Sequence, residues 1–315
     1  INGQFSIDDL QITTKEIKVN NIILLLRAFK DSPKLFVLNN FIKSGFITAN
    51  VNLNFDEKGN IKEDYKISGY VKKVKLNILN QVKLQNFNFN FNVDKSNYFL
   101  KGIDMKLNNV KVTSPLIEIK KKKNSFFVNG QFLNNNNNFD IKELKPIFTN
   151  LFNIIDIQKI EFSSKNNFSF NVNENLKFDN LKVESIVDLN ELIVNQKNLK
   201  LKSYFPSFIE DIKLEDHKIV INYNQNKFDI RGSGNISLED KLDTLSYQII
   251  KDNSNFLFDS KIKLKNNSLL IDFLGYEKKE GLSSLVSIKG NYKKNNQLRF
   301  DLINLKEKNN EISIK

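Results

Sequence analysis

The chain has 315 residues, 40% of them hydrophobic and 11% aromatic, and a formal net charge of +12. This composition excludes intrinsic disorder and supplies enough apolar side chain for one large β domain or two ordinary ones. Cysteine is absent, which excludes disulfides and thiolate metal sites.

The charge is less telling than its size. Lys is spread along nearly every segment, and Asn, Ile and Phe are heavily used while Ala occurs only at Ala28 and Ala49. That is the bias of an AT-rich genome, so most of the positive charge reads as a solvated outer face, with weak attraction to anionic lipid head groups. Nucleic acid is not an expected partner, because Arg, the main reader of bases, occurs only at Arg27, Arg231 and Arg299. No stretch reaches the ~18 apolar residues of a membrane span, and no signal peptide is present. The chain starts at Ile1 and ends inside a strand-like pattern at Lys315, so it reads as a fragment.

In chain order, the first element to break from strand character is Asn21 to Lys30, with five apolar residues from Ile22 to Leu26. A second apolar stretch, Leu35 to Ile42, follows Pro33. Together they predict a helical insert over about 21–43. Asp56-Glu57-Lys58-Gly59-Asn60 reads as a turn, and a long strand is expected from Ile61 to Leu79. Phe87, Phe89, Phe91 and Val93 then alternate with asparagines, the period-two mark of a sheet with one dry face and one wet face. The run Lys120 to Lys123 reads as a charged hairpin end.

The Asn134 to Asn138 run marks a possible internal boundary near 134–156. Ile141, Leu144, Ile147, Phe148, Leu151 and Phe152 share one helical face, which predicts a second insert over about 140–153. Alternation resumes at Phe168 and Phe170. It continues through Leu181, Val183 and Val187, Ile219, Ile221 and Tyr223, Phe228 and Ile230, then Ile262 and Leu264. Turns are expected at Lys165-Asn166-Asn167, Asn224-Gln225-Asn226 and Lys265-Asn266-Asn267, and an unusually long strand from Lys177 to Val194. About 20 strands follow from this pattern.

A glycine motif recurs, as Ile1-Asn2-Gly3-Gln4-Phe5, Val128-Asn129-Gly130-Gln131-Phe132, Ser68-Gly69-Tyr70, Gly232-Ser233-Gly234 and Lys289-Gly290-Asn291. Glycine inside a strand predicts a bulge or bend, and repeated bends would curl a long sheet.

Candidate chemistry is scarce. The single histidine, His217, follows Glu215 and Asp216 and reads as part of a turn. It has no nucleophile beside it and no metal-ligand partners. No phosphate-binding glycine loop, catalytic serine elbow or dinucleotide fingerprint is present. The expectation is therefore no catalytic residue, no cofactor and no metal.

The expected fold class is all-β: a long curled antiparallel meander sheet forming an elongated open groove, one continuous body over 1–315 with the two short helical inserts. A flat sheet apolar on one face cannot sit in water. It closes into a sandwich or barrel, or it solvates something apolar. At ~0.8 kcal/mol per methylene, two acyl chains would cost over ~20 kcal/mol to leave in water, and a trough removes that cost. The residues expected to line it are Phe87, Phe89, Phe91, Phe168, Phe170, Leu181, Val183, Val187, Ile219, Ile221, Tyr223, Ile262 and Leu264.

The glycine-marked strands Val128-Asn129-Gly130-Gln131-Phe132 and Ile288-Lys289-Gly290-Asn291-Tyr292, with Phe87 to Val93 and the insert before Gly45, resemble the AsmA-like family. The similar branch is that of YhdP and TamB. The resemblance implies a repeating β-groove, phospholipid acyl chains as cargo, and transport across the periplasm to the outer membrane. It also implies an inner-membrane anchor upstream of Ile1 and outer-membrane or periplasmic protein partners. The rival reading is a structural or adhesive surface β protein, whose apolar faces pack against each other in a closed sandwich core.

Overall fold

The computed structural model describes residues 7–29, 33–78, 82–135, 139–146, 149–152, 155–173, 175, 177–195, 201–208, 210–225, 227–252, 255–293 and 297–314. The fold is all-β, an antiparallel meander interrupted by short helices. The chain divides into two compact units, Ile1–Asn134 with Asn167–Asn180, and Asn135–Asn166 with Leu181–Lys315. The division at Asn134 falls in the stretch 134–156 expected as a boundary, and the others fall inside two long strands.

In the first unit, β1 (Asp9–Thr13) and β2 (Ile17–Lys18) both pair with β3 (Ile42–Asn54). Between β2 and β3 lie α1 (Val19–Phe29) and α2 (Pro33–Phe41). The first insert is thus a pair of helices, with Pro33 at the first helical position, where its missing N–H costs nothing. Then come β4 (Lys66–Ile78), β5 (Val82–Asp94), β6 (Asn97–Leu107), β7 (Val110–Lys122) and β8 (Ser125–Asn134), each antiparallel to the strand before it. The strand expected from Ile61 starts only at Lys66. The Asp56 carboxylate accepts hydrogen bonds from the amides of Lys58 (2.9 Å) and Asn60 (2.8 Å), so residues 56–65 are spent on the turn. Leu79 lies outside the described residues.

Register shifts interrupt the pairs β3–β4, β4–β5, β5–β6 and β7–β8. Lys73, Asn86 and Gly102 sit in or beside them with φ of 53, 50 and 60°. Asn88 stabilises one such bulge by accepting a hydrogen bond from the Lys73 amide at 2.8 Å. Each extra residue reverses which parity faces inward. On β4 the inward set runs Ile67, Gly69, Val71, then Val74 and Leu76.

The second insert is two single turns, α3 (Ile141–Leu144) and α4 (Thr149–Phe152), the first capped by Asp140, whose side chain accepts from the Lys142 amide. Ile147 and Phe148 lie outside the described residues. β9 (Asp156–Asn173) and β10 (Phe178–Asn195) contribute residues to both units. β9 overturns the turn expected at Lys165-Asn166-Asn167. The strand continues through those residues, because their polar side chains find partners without reversing the chain. Asn166 donates to Ser164 Oγ at 3.0 Å, and Asn167 Oδ1 accepts from Gln131 at 2.7 Å.

The second unit continues with β11 (Asp211–Asn224), β12 (Lys227–Ser237), β13 (Leu242–Asp252) and β14 (Asn255–Leu264). A small hairpin follows, β15 (Leu269–Ile271) and β16 (Tyr276–Lys278), then β17 (Ser284–Lys293), β18 (Gln297–Glu307) and β19 (Asn310–Ile314). β10 to β14 pair in chain order, β17 joins β14, and β18 and β19 follow. The Glu215-Asp216-His217 turn expected from sequence is instead a bulge inside β11. Asp216 takes φ 52°, the register against β12 shifts between Glu215 and Lys218, and His217 turns inward.

Strand glycines mark bulges, with Gly45, Gly102, Gly130 and Gly290 at register shifts, and some also seat an aromatic ring. Gly69, Gly232 and Gly290 lie directly opposite Phe91, Tyr247 and Phe258 on neighbouring strands. Each ring lies over the bare backbone. A Cβ at Gly232 would sit 2.3 Å from Tyr247 Cζ. At these three positions the glycine is a seat for a flat-lying ring. The copy at Ile1 to Phe5 lies outside the described residues. Replacing Gly232 by Ala is expected to lift the Tyr247 ring and cost about 1–3 kcal/mol in urea unfolding. In a Tyr247→Ala background the same change should cost well under half as much.

Candidate apolar sheet faces

In the first unit, the inward side chains of β5 to β9 form one aromatic cluster. Ile103, Met105, Ile117 and Val128 are buried at its centre, with Phe87, Phe89, Phe132, Phe168 and Phe170 packed around them. The Phe87 and Phe89 rings lie 4.7 Å apart, and Phe132 stacks on Phe168 at 4.8 Å. Phe168, Phe170 and Phe178 continue the series at 5.9 and 5.5 Å. Phe91 extends it over Gly69 and stands opposite Leu100. The five phenylalanines expected from sequence therefore share one face.

In the second unit, directly opposed pairs align residues across the strands. One row runs Ser185, Ile221, Ile230, Ile249, Phe258, Gly290, Phe300. The next runs Val183, Tyr223, Phe228, Lys251, Phe256, Tyr292, Leu298, and Val187 and Ile219 pair on the other side of the first. Lys251 is the one cation in these rows, its ammonium 5.3 Å over the Phe256 ring. Leu298 and Phe300 are about half exposed, and Leu181 is 37% exposed. Val183, Val187, Ile219, Ile221, Tyr223 and Ile262 are half-buried. The opposite face carries Lys218, Ser233, Lys261 and Lys263, with ion pairs Arg231–Asp229 (2.9 Å), Lys289–Asp259 (2.9 Å) and Arg299–Asp301 (3.0 Å). Being exposed, these pairs set polarity more than stability.

Leu264 departs from the expectation. It is 0% exposed and sits in a closed core with Phe205, Phe208, Ile236, Leu238, Leu269 and Leu305. Ile262 packs against the same core. Segment 201–208 and the β15–β16 hairpin cover the face here, and a polar clamp holds them down. Glu239 accepts from the Ser207 amide at 2.8 Å and the Ser268 hydroxyl at 3.1 Å. Asp243 accepts from the amides of Lys265, Asn266 and Asn267 at 2.7–3.0 Å. Burial pushes the Asp243 carboxyl up, but the amides of Asn266, Lys265 and Asn267 outweigh it and hold it below the usual range. Lys278, fully buried, donates to the carbonyls of Lys265 (3.0 Å) and Asn267. Burial pushes its pKa down against the pull of Asp243, Glu307 and Glu239.

His217 is a core residue of this same face. It is 1% exposed, sits over Gly234, faces Tyr247 at 5.8 Å and hydrogen-bonds through Nε2 to the Asn235 carbonyl at 2.8 Å. Nε2 therefore carries the proton of a neutral ring. Burial lowers its pKa against the opposing effects of Asn235 and Asp216. Below the ordinary His value near 6.5 the unfolded chain takes a proton that the folded ring refuses, so stability falls as the pH drops through that range. Thermal unfolding at pH 7.5 and 5.0 should show this slope, and His217→Gln should flatten it.

The rows also contain residues that sequence reading left off the face: Ile249, Phe256, Phe258, Tyr292 and Phe300. Extending the even parity of Ile262 and Leu264 back along the strand would have found Phe258 and Phe256.

Among the described residues no three His, Asp or Glu side chains come together as a metal site. No helix is long and apolar enough to cross a membrane among the described residues. Comparison with known protein families, characterised proteins and solved structures gives no match.

Proposed function

We propose that the apolar faces of the two units carry lipid acyl chains, and that the protein is a phospholipid-transfer element and not an enzyme. The observation that supports this most is the set of opposed rows in β10 to β18, largely apolar across seven strands yet only half covered. Water on such a face is costly, at about 25 cal/mol per Å², and a bound hydrocarbon chain removes that cost. Lys251 supplies a cation between Phe228 and Phe256, where the phosphate of a head group would lie. On the resemblance to AsmA-like proteins, the proposal extends to transfer through the periplasm, between the inner and outer membranes.

The test is direct. Protein purified without detergent is extracted with organic solvent and the extract examined by mass spectrometry, with at least one phospholipid per chain expected. A photo-crosslinking residue at Phe89 or Ile221 should capture lipid, and one at the outward Val220 should not. Lipid-free protein, or equal capture from both faces, overturns the proposal and leaves the structural or adhesive reading in its place.

A further inference from the structure

The α1–α2 hairpin exposes more hydrocarbon than a helix pair on a sheet needs to. Ile23 is buried, and Asn20 fixes the hairpin by donating to the Ile42 carbonyl at 3.1 Å. The other side of α1 presents three consecutive leucines, Leu24, Leu25 and Leu26, at 51, 55 and 48% exposure. α2 adds Phe36 at 52% and Leu38 at 43%. The two helices share this surface, because the Arg27 guanidinium lies 5.3 Å over the Phe36 ring.

The sequence of the hairpin is predominantly basic. Neither helix contains an acidic residue. Residues 17–43 hold Lys18, Arg27, Lys30, Lys34 and Lys43 against Asp31, five positive and one negative. With 11 residues, α1 is too short to span a bilayer. An exposed apolar patch with basic residues and almost no acidic ones matches the boundary of an anionic bilayer, where leucines enter the acyl region and cations stay with the phosphates.

We propose that the α1–α2 hairpin docks the protein on anionic membrane surfaces through Leu24, Leu25, Leu26, Phe36 and Leu38. The hairpin packs on β3 and β4 and joins β3 at Ile42, so docking brings that end of the first unit's apolar face to the bilayer. Docking does not require that the sheet faces carry lipid, and the test keeps the two apart.

The chain has no tryptophan, so Leu25→Trp is a lone reporter. Its emission should shift to the blue with phosphatidylcholine–phosphatidylglycerol vesicles and little with phosphatidylcholine alone. In flotation, the protein should rise with the anionic vesicles and release in high salt. The double change Leu25→Glu and Phe36→Glu should weaken flotation at least tenfold, with unfolding midpoint unchanged because both positions are exposed. A protein disabled for lipid carriage by changes in the β13 and β18 rows should still float. No flotation of the unaltered protein, or equal flotation of the double variant, overturns the proposal. So does a dimer by light scattering that the double variant abolishes, since that gives the patch to a second copy of the chain.

Discussion

Replacing Ile249 and Phe300 together by glutamate is expected to strip the protein of lipid. Both lie in one row of opposed residues on the apolar face, and neither is fully buried. A carboxylate set against hydrocarbon costs about 2–4 kcal/mol, so two should weaken lipid binding by about 5 kcal/mol, on the order of a thousandfold. The measurement is phospholipid per protein after detergent-free purification, which should drop below about a tenth of the unaltered value. Circular dichroism should show the strands intact. The matching control places glutamate at Val220 and Leu257, exposed on the outward face, and should change little. Retention of lipid by the inward variant, or equal loss from both, would remove the apolar rows as the carrying surface.

Leu264→Ala should do the reverse. This side chain has no solvent exposure and packs under segment 201–208 and the β15–β16 hairpin. Removing it leaves a cavity among Phe205, Phe208 and Leu269. Such truncations cost about 3 kcal/mol, which corresponds to a fall of about 6–12 °C in unfolding midpoint for a unit of this size. Lipid content should stay as before at temperatures where the protein is folded. An unchanged midpoint would mean that the cover is not packed on the sheet. Lost lipid in folded protein would return Leu264 to the carrying face.

The contrast between Ile262 and Leu264 shows where sequence reading ends. Alternation put Phe87, Phe89, Phe168 and Phe170 on one face in the first unit, and Val183, Ile219, Ile221 and Tyr223 on one face in the second, because a two-residue period admits only two choices. Nothing local distinguishes Leu264 from its neighbour two residues away. What buries it is Phe205, Phe208 and Leu269, brought over it by the carboxylates of Glu239 and Asp243. The β11 bulge was hidden for a related reason. Glu215-Asp216-His217 has the composition of a turn, and only its pairing partners, Leu189 and Gly234, show that one extra residue has been inserted into a continuing strand. The glycine motif was visible as a repeat. Its bulges were expected, but its ring seats were not, since each ring that needs the space comes from another strand.

The pairing of most strands with their sequence neighbours bears on how such a protein is made and how it changes. Contacts close over short loops, so the sheet can grow from any hairpin, and little of it has to wait for a distant segment of the chain. Length is then a freely heritable variable. Duplicating one hairpin adds two strands, about 9.6 Å of sheet, and leaves every inward side chain inward. Losing one residue from a single strand does the opposite and turns the rest of that strand inside out. In genes of this kind, whole hairpins should be gained and lost readily, while single-residue deletions inside strands should be rare except where a bulge absorbs them.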